Sequence, residues 1–166
     1  IACDTVPGIS AAQGAAASAG IPLTHRDHAA MLVFATGHLQ GEEGERTVAL
    51  DWAALARPHQ TVVIYMGLGG LPEICRQMML HGAPANLPIA VVQDGSIATQ
   101  RVVTGTLADM PERVAKAGLK SPCLTLIGEV VKLHDSLAWF TPVVQAAALP
   151  AVAPQKRRRQ AVALSV

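Results

Sequence analysis

The sequence, 166 residues long, is short of aromatics: two Trp, one Tyr and two Phe make up 3% of it. So few rings cannot supply the stacking platforms on which single-stranded nucleic acid is held, and no basic stripe follows any predicted helix. Nucleic acid is therefore excluded as the main partner. Cysteine is scarce too. Cys3, Cys75 and Cys123 are an odd set without CxxC spacing, which argues against a disulfide scaffold or zinc site and for a reducing, cytoplasmic setting. No metal is expected. No window reaches the roughly 18 uninterrupted apolar residues of a spanning helix, so no membrane partner is expected either, and the protein reads as soluble.

Apolar residues are plentiful at 51% against 15% charged, enough to build a core and too many for an intrinsically disordered chain. The length suits one domain, or one and a fraction. Of the thirteen Lys and Arg, Lys156, Arg157, Arg158 and Arg159 form a single run, so acids outnumber bases elsewhere although the net charge is +1. The opening residues have no start methionine, basic n-region or apolar h-region. The expectation is a sequence that begins inside a longer polypeptide.

Pro7-Gly8 marks a turn, Ser10 is a helix N-cap, and the small residues Ala11 to Ala19 run to a stop at Gly20. Such a helix can pack tightly in a core or let a ligand come close; both readings stay open. A domain entry follows Gly20-Ile21-Pro22. Strands are predicted over Met31–Thr36, Thr61–Met66, Ile89–Val92, Arg101–Thr106 and Leu124–Ile127, from short apolar, β-branched runs. Helices are predicted over Trp52–Arg57 behind Asp51, from the Gly67–Glu73 turn to His81, and over Asp109–Ala117. The third and fourth strands read as a hairpin-like pair. Gly37–Thr47 is a polar surface excursion, Glu129–Phe140 a closing segment, and residues from Thr141 onward a disordered basic tail. Strands alternating with helices imply an α/β layer structure with a mainly parallel or mixed sheet.

Ligands of open α/β sheets gather at the carboxyl ends of strands, and here Met66-Gly67, Asp94-Gly95 and Ile127-Gly128 place glycine at three such ends. Glycine there either leaves room for a ligand or serves as ordinary turn chemistry. On the first reading, a β-branched residue at Gly95 would block a ligand while sparing the fold. Gly67-Leu68-Gly69-Gly70 is neither a Walker A nor a G-x-G-x-x-G loop, so phosphate cradling is disfavoured. Thr24-His25-Arg26-Asp27-His28 crowds four ionisable groups together. It is a poor chelator by spacing, and Arg26 is suited to a carboxylate, with a plain solvated turn as the alternative. His38, His59, His81 and His134 read as surface residues. Neither a Gly-x-Ser-x-Gly elbow nor a Cys-His signature points to covalent catalysis.

Taken in order, several strings carry a likeness: Val6-Pro7-Gly8-Ile9-Ser10-Ala11-Ala12, Ala19-Gly20-Ile21-Pro22-Leu23-Thr24-His25-Arg26, Thr36-Gly37-His38-Leu39, Tyr65-Met66-Gly67-Leu68, Gln100-Arg101-Val102-Val103-Thr104-Gly105-Thr106-Leu107 and Leu137-Ala138-Trp139-Phe140. Together they resemble the uroporphyrinogen-III C-methyltransferases from about Val6 to Phe140.

The resemblance implies transfer of methyl groups from S-adenosylmethionine to uroporphyrinogen III, leaving S-adenosylhomocysteine and giving precorrin-2 for siroheme and cobalamin. It implies the α/β tetrapyrrole methylase fold of two domains in a homodimer: residues 1–20 would end the N-terminal domain, residues 21–140 form the C-terminal α/β domain with a mixed sheet, and residues 141–166 trail. By matching position, Ser10, Ala11, Met66 and Gly95 would bind the cofactor. Arg26 and Arg101 are expected to meet the carboxylates of the substrate. The family's Gly-x-Gly-Pro-Gly-Asp and Gly-Gly-Asp-Pro loops are not in this sequence, and the residues proposed as proton acceptor and donor lie with them in the N-terminal domain. No catalytic residue is assigned, and these residues alone are not expected to methylate. A sister methylase of later corrin intermediates and a non-catalytic adenosyl-ligand module are the alternatives.

Overall fold

The computed structural model describes residues 3–38 and 48–140; residues 39–47 of the Gly37–Thr47 excursion and the tail over 141–166 lie outside the described residues. Five strands form one sheet in the order β1-β2-β5-β3-β4, with β1 Met31–Thr36, β2 Gln60–Tyr65, β3 Pro88–Gln93, β4 Arg101–Thr106 and β5 Cys123–Ile127. Only β1 and β2 run parallel; β5 lies antiparallel between β2 and β3, and β3 pairs antiparallel with β4. The sheet is thus mixed with antiparallel pairs in the majority. The short Asp94–Gln100 connection accounts for the β3–β4 pair, because it can reverse the chain but cannot hold a crossover.

Helices cover both faces: α1 Ala11–Ser18, α2 Trp52–Leu55, α3 Leu71–Leu80, α4 Met110–Ala117 and α5 His134–Leu137, the last entered through a 3-10 turn at Glu129–Leu133. α2, α3 and α4 bury Leu55, Ile74, Met78 and Met110 with Val62, Ile64, Ile89 and Val91. On the other face α1 presses Ala12, Ala15, Ala16 and Ala19 onto Val63, Ala90, Val92 and Leu126. Because β2 and β3 are covered on both sides, their sequences are continuous apolar runs without alternation.

Differences from expectation are local and physical. α2 stops at Leu55, two residues early, since the residue before Pro58 resists the helical region. β2 starts one residue early, at Gln60, and stops one residue early because Met66 turns to a φ of 53° and leaves the extended region. α1 carries the capping box of Ser10 and Gln13. Its far end is tied by the closing segment: Trp139 Nε1 donates to the Ala17 carbonyl at 2.9 Å and His134 Nδ1 to the Ala19 carbonyl at 2.6 Å. Side chains more than a hundred residues away thereby reach the helix-end carbonyls: His134 gives Ala19 a partner, and Trp139 adds to the Gly20 N–H that Ala17 already accepts.

Candidate functional site

β2 and β3 end, and β5 begins, at the same margin of the sheet, and there a cleft of about 750 Å³ opens. The first turn of α1 forms one wall, with Ser10, Ala11 and Ala15; Met66 and the Asp94–Ile97 connection form the others, and Val92 and Leu124 the floor. Ser10, Ala11, Met66 and Gly95, assigned together from the sequence, all line it. Four residues drawn from three distant segments meet in one cavity.

The backbone around it is strained. Met66, Asp94 and Ser96 have φ of 53°, 52° and 70°, in a left-handed region that costs a residue with a side chain roughly 1–2 kcal/mol. Hydrogen bonds hold this geometry: Asp94 Oδ2 accepts from Gln93 Nε2 at 3.0 Å and Thr99 Oγ1 at 3.1 Å, and the Ser96 N–H donates to Gln100 Oε1 at 2.6 Å. The Met66 side chain is 62% exposed at the rim. Burial, and then the Asp94 charge, push the Cys123 thiol up to about 11. It therefore stays protonated at neutral pH, with Sγ donating to the Lys120 carbonyl at 3.0 Å.

The glycines are explained differently from the ligand-space reading. A Cβ on Gly95 would lie 2.6 Å from Ala15 Cβ and 2.9 Å from Ala15 Cα, so the missing side chain lets α1 seat against the loop. A Cβ on Gly67 would meet Ile64 Cγ2 at 2.9 Å. Both positions are taken up by the protein's own packing, and a β-branched residue at Gly95 would displace α1 rather than spare the fold.

Arg26 and Arg101 are not brought to the cleft. Arg26 is exposed in the turn that precedes β1, at the opposite end of the strand from the cleft margin, where His25 and Ala29 bridge. Arg101 starts β4 opposite Gln93, and its Nη2 donates to the Ala117 carbonyl at the end of α4 at 2.7 Å. Beside Arg26, the His25 and His28 rings stack 4.7 Å apart and Asp27 stands 3.9 Å from His25 Nδ1. Among the described residues no three His, Cys, Asp or Glu gather as a metal site. Sequence reading missed His38 and Tyr65, which also line the cleft. His38 had no partner within its own segment to signal it; Tyr65, next to Met66 at a strand end, carried a signal that its apolar neighbours masked.

Residues 1–111 match the model of the family described as Tetrapyrrole (Corrin/Porphyrin) Methylases. The chain belongs to the tetrapyrrole methylases. It is 62% identical over 137 residues to the siroheme synthase of Methylobacillus flagellatus, covering 82% of this chain and 28% of that protein. The siroheme synthase of Nitrosomonas europaea is 56% identical over 135 residues, 81% of this chain and 28% of its own length. Among solved structures, the uroporphyrin-III C-methyltransferase of Thermus thermophilus in complex with S-adenosyl homocysteine superposes with a TM-score of 0.62 at 31% identity, covering 78% of this chain and 54% of that one. Cobalt precorrin-4 methyltransferase superposes at 0.65 with 20% identity, a likeness of fold. This methylase chain thus spans less than a third of the siroheme synthases it matches and about half of the solved methyltransferases.

Proposed function

We propose that this chain is the C-terminal part of an S-adenosylmethionine-dependent methyltransferase that acts on uroporphyrinogen III and gives precorrin-2 for siroheme. The observation that carries the proposal is the meeting of Ser10, Ala11, Met66 and Gly95 around one cleft. Its volume of about 750 Å³ falls within the roughly 300–1,000 Å³ of small-molecule sites, and an apolar floor with a few hydroxyls above it suits a nucleoside. The sulfonium of the bound cofactor supplies an activated methyl group.

What this chain contributes is placement. Methyl transfer is an in-line displacement, so rate comes from holding the two reactants in register and from keeping water out. The rigid margin of the sheet and the first turn of α1 would hold the adenosyl and methionine parts; Met66 and Ile97, exposed at 62% and 54%, offer apolar rim against which an upstream lobe can close. We further propose that residues 1–20 complete that upstream domain and residues 21–140 form the C-terminal one, with α1 buried on the sheet of the second. The working unit is proposed as a cytoplasmic homodimer. The substrate's carboxylates call for cations. With Arg101 engaged at Ala117 and Arg26 at the far end of β1, neither is part of the proposed cofactor cleft.

The test is calorimetry with S-adenosylhomocysteine on the protein carrying both methylase lobes, followed by methylation of uroporphyrinogen III. Binding with turnover is expected. Binding without turnover leaves only an adenosyl-ligand module, turnover confined to later corrin intermediates leaves the sister methylase, and failure to bind removes the proposal.

A further inference from the structure

Gln100 is 3% exposed, yet it joins two walls of the cleft. Its Oε1 accepts the Ser96 N–H at 2.6 Å and the Ser18 hydroxyl at 2.6 Å. Ser96 belongs to the strained connection after β3 and Ser18 closes α1, 82 residues away from Gln100. The Ser18 hydroxyl also lies 3.1 Å from the Ala15 carbonyl, but it has one proton and the Gln100 contact is the shorter. Ala15, in turn, is the residue against which Gly95 packs. One amide oxygen and one close contact therefore set how far the 94–96 connection stands from α1.

From this we infer that Gln100 is a positioning residue for the cofactor: it fixes the Asp94–Ser96 wall through the Ser96 N–H. The inference rests on the cofactor reading of the cleft. The role needs an acceptor of two hydrogen bonds at the end of a two-methylene arm. Leucine fills the same space and accepts neither bond, leaving the part-buried Ser96 N–H without its acceptor and the Ser18 hydroxyl with the Ala15 carbonyl alone. Asparagine keeps the amide but is too short to reach. Glutamate reaches and accepts both, although its charge sits near the negative end of α1 and lowers stability.

In the protein with both lobes, Gln100→Leu is expected to weaken S-adenosylhomocysteine binding about tenfold, the worth of one lost hydrogen bond, and to raise the KM for the methyl donor without raising that for the tetrapyrrole. Hydrogen exchange at the Ser96 amide should accelerate. Gln100→Glu should restore affinity to within about threefold of the unaltered protein even where its Tm is lower, a split that a purely structural role would not produce. If Gln100→Leu does not fold, Gln100→Asn against Gln100→Glu decides, with asparagine the weaker binder. Equal affinity across the folded variants and the unaltered protein overturns the inference alone, as does loss of affinity in step with Tm. Failure of the unaltered protein to bind overturns both the inference and the cofactor reading beneath it.

Discussion

The Tyr65 hydroxyl accepts the Ala12 N–H at 3.0 Å, tying the end of β2 to the first turn of α1. That amide is one of the donors a helix start leaves without an internal partner, and Tyr65 supplies it from the strand that ends at the cleft. The ring also packs edge-on to Phe34 at 6.1 Å. Tyr65→Phe keeps the ring and removes only the acceptor. It is expected to lower unfolding free energy by about 1 kcal/mol in urea titrations and to weaken S-adenosylhomocysteine severalfold by calorimetry, because Ser10 and Ala11 lose their anchor. Unchanged affinity would separate the anchor from the site.

Gly95 makes a sharper prediction. The space a side chain would need there is filled by Ala15 rather than left bare for a ligand, so Gly95→Ala should destabilise by about 1–3 kcal/mol, as overpacking does, read as a fall in urea midpoint. Ala15→Gly placed beside it removes the 2.6 Å contact and leaves the one to the Ala15 Cα at 2.9 Å. Partial recovery is therefore expected in a double-mutant cycle. Simple addition of the two costs would show that the positions do not touch.

Arg101 tests the division between stability and substrate. Its guanidinium meets the Ala117 carbonyl at the end of α4, where a cation also suits the helix dipole. Arg101→Ala is expected to cost no more than about 1 kcal/mol, as for an exposed hydrogen bond, with the KM for the tetrapyrrole unchanged. A marked rise in that KM would return Arg101 to the substrate.

Much of this architecture was legible in local pattern. The apolar runs of β2 and β3, the Ser10 cap and the stop at Gly20 each depend on neighbours in sequence, and the structure places them within a residue or two. The meeting of Ser10, Met66 and Gly95 at one cleft was legible only through likeness to a family, since no spacing links them. What escaped was long-range and specific. That Gly95 faces Ala15, that Gln100 reaches Ser18 and that Arg101 turns to Ala117 all follow from how α1 and α4 dock on the sheet, which one-dimensional pattern does not encode. Charge alone made Arg26 and Arg101 attractive; their places at the far end of β1 and in a helix-end contact are products of the fold.

The buried thiol of Cys75 and the half-buried thiol of Cys123 predict an alkaline limit to stability. Burial pushes Cys75 up to about 12, and burial with the Asp94 charge pushes Cys123 up to about 11, both from an ordinary value of 9.0. Between that value and these, the unfolded chain has released protons that the folded chain still holds, so stability falls as pH rises through the window. Below pH 9.0 the contribution is complete. Urea midpoints are therefore expected to decline across this range, and Cys123→Ser, whose hydroxyl does not titrate there, should shallow the slope at the cost of some packing. At about pH 8, where an unperturbed thiol is partly ionised, iodoacetamide should label the exposed Cys3 ahead of Cys75 and Cys123. Equal labelling of all three in the folded protein would contradict the burial on which the pH dependence stands.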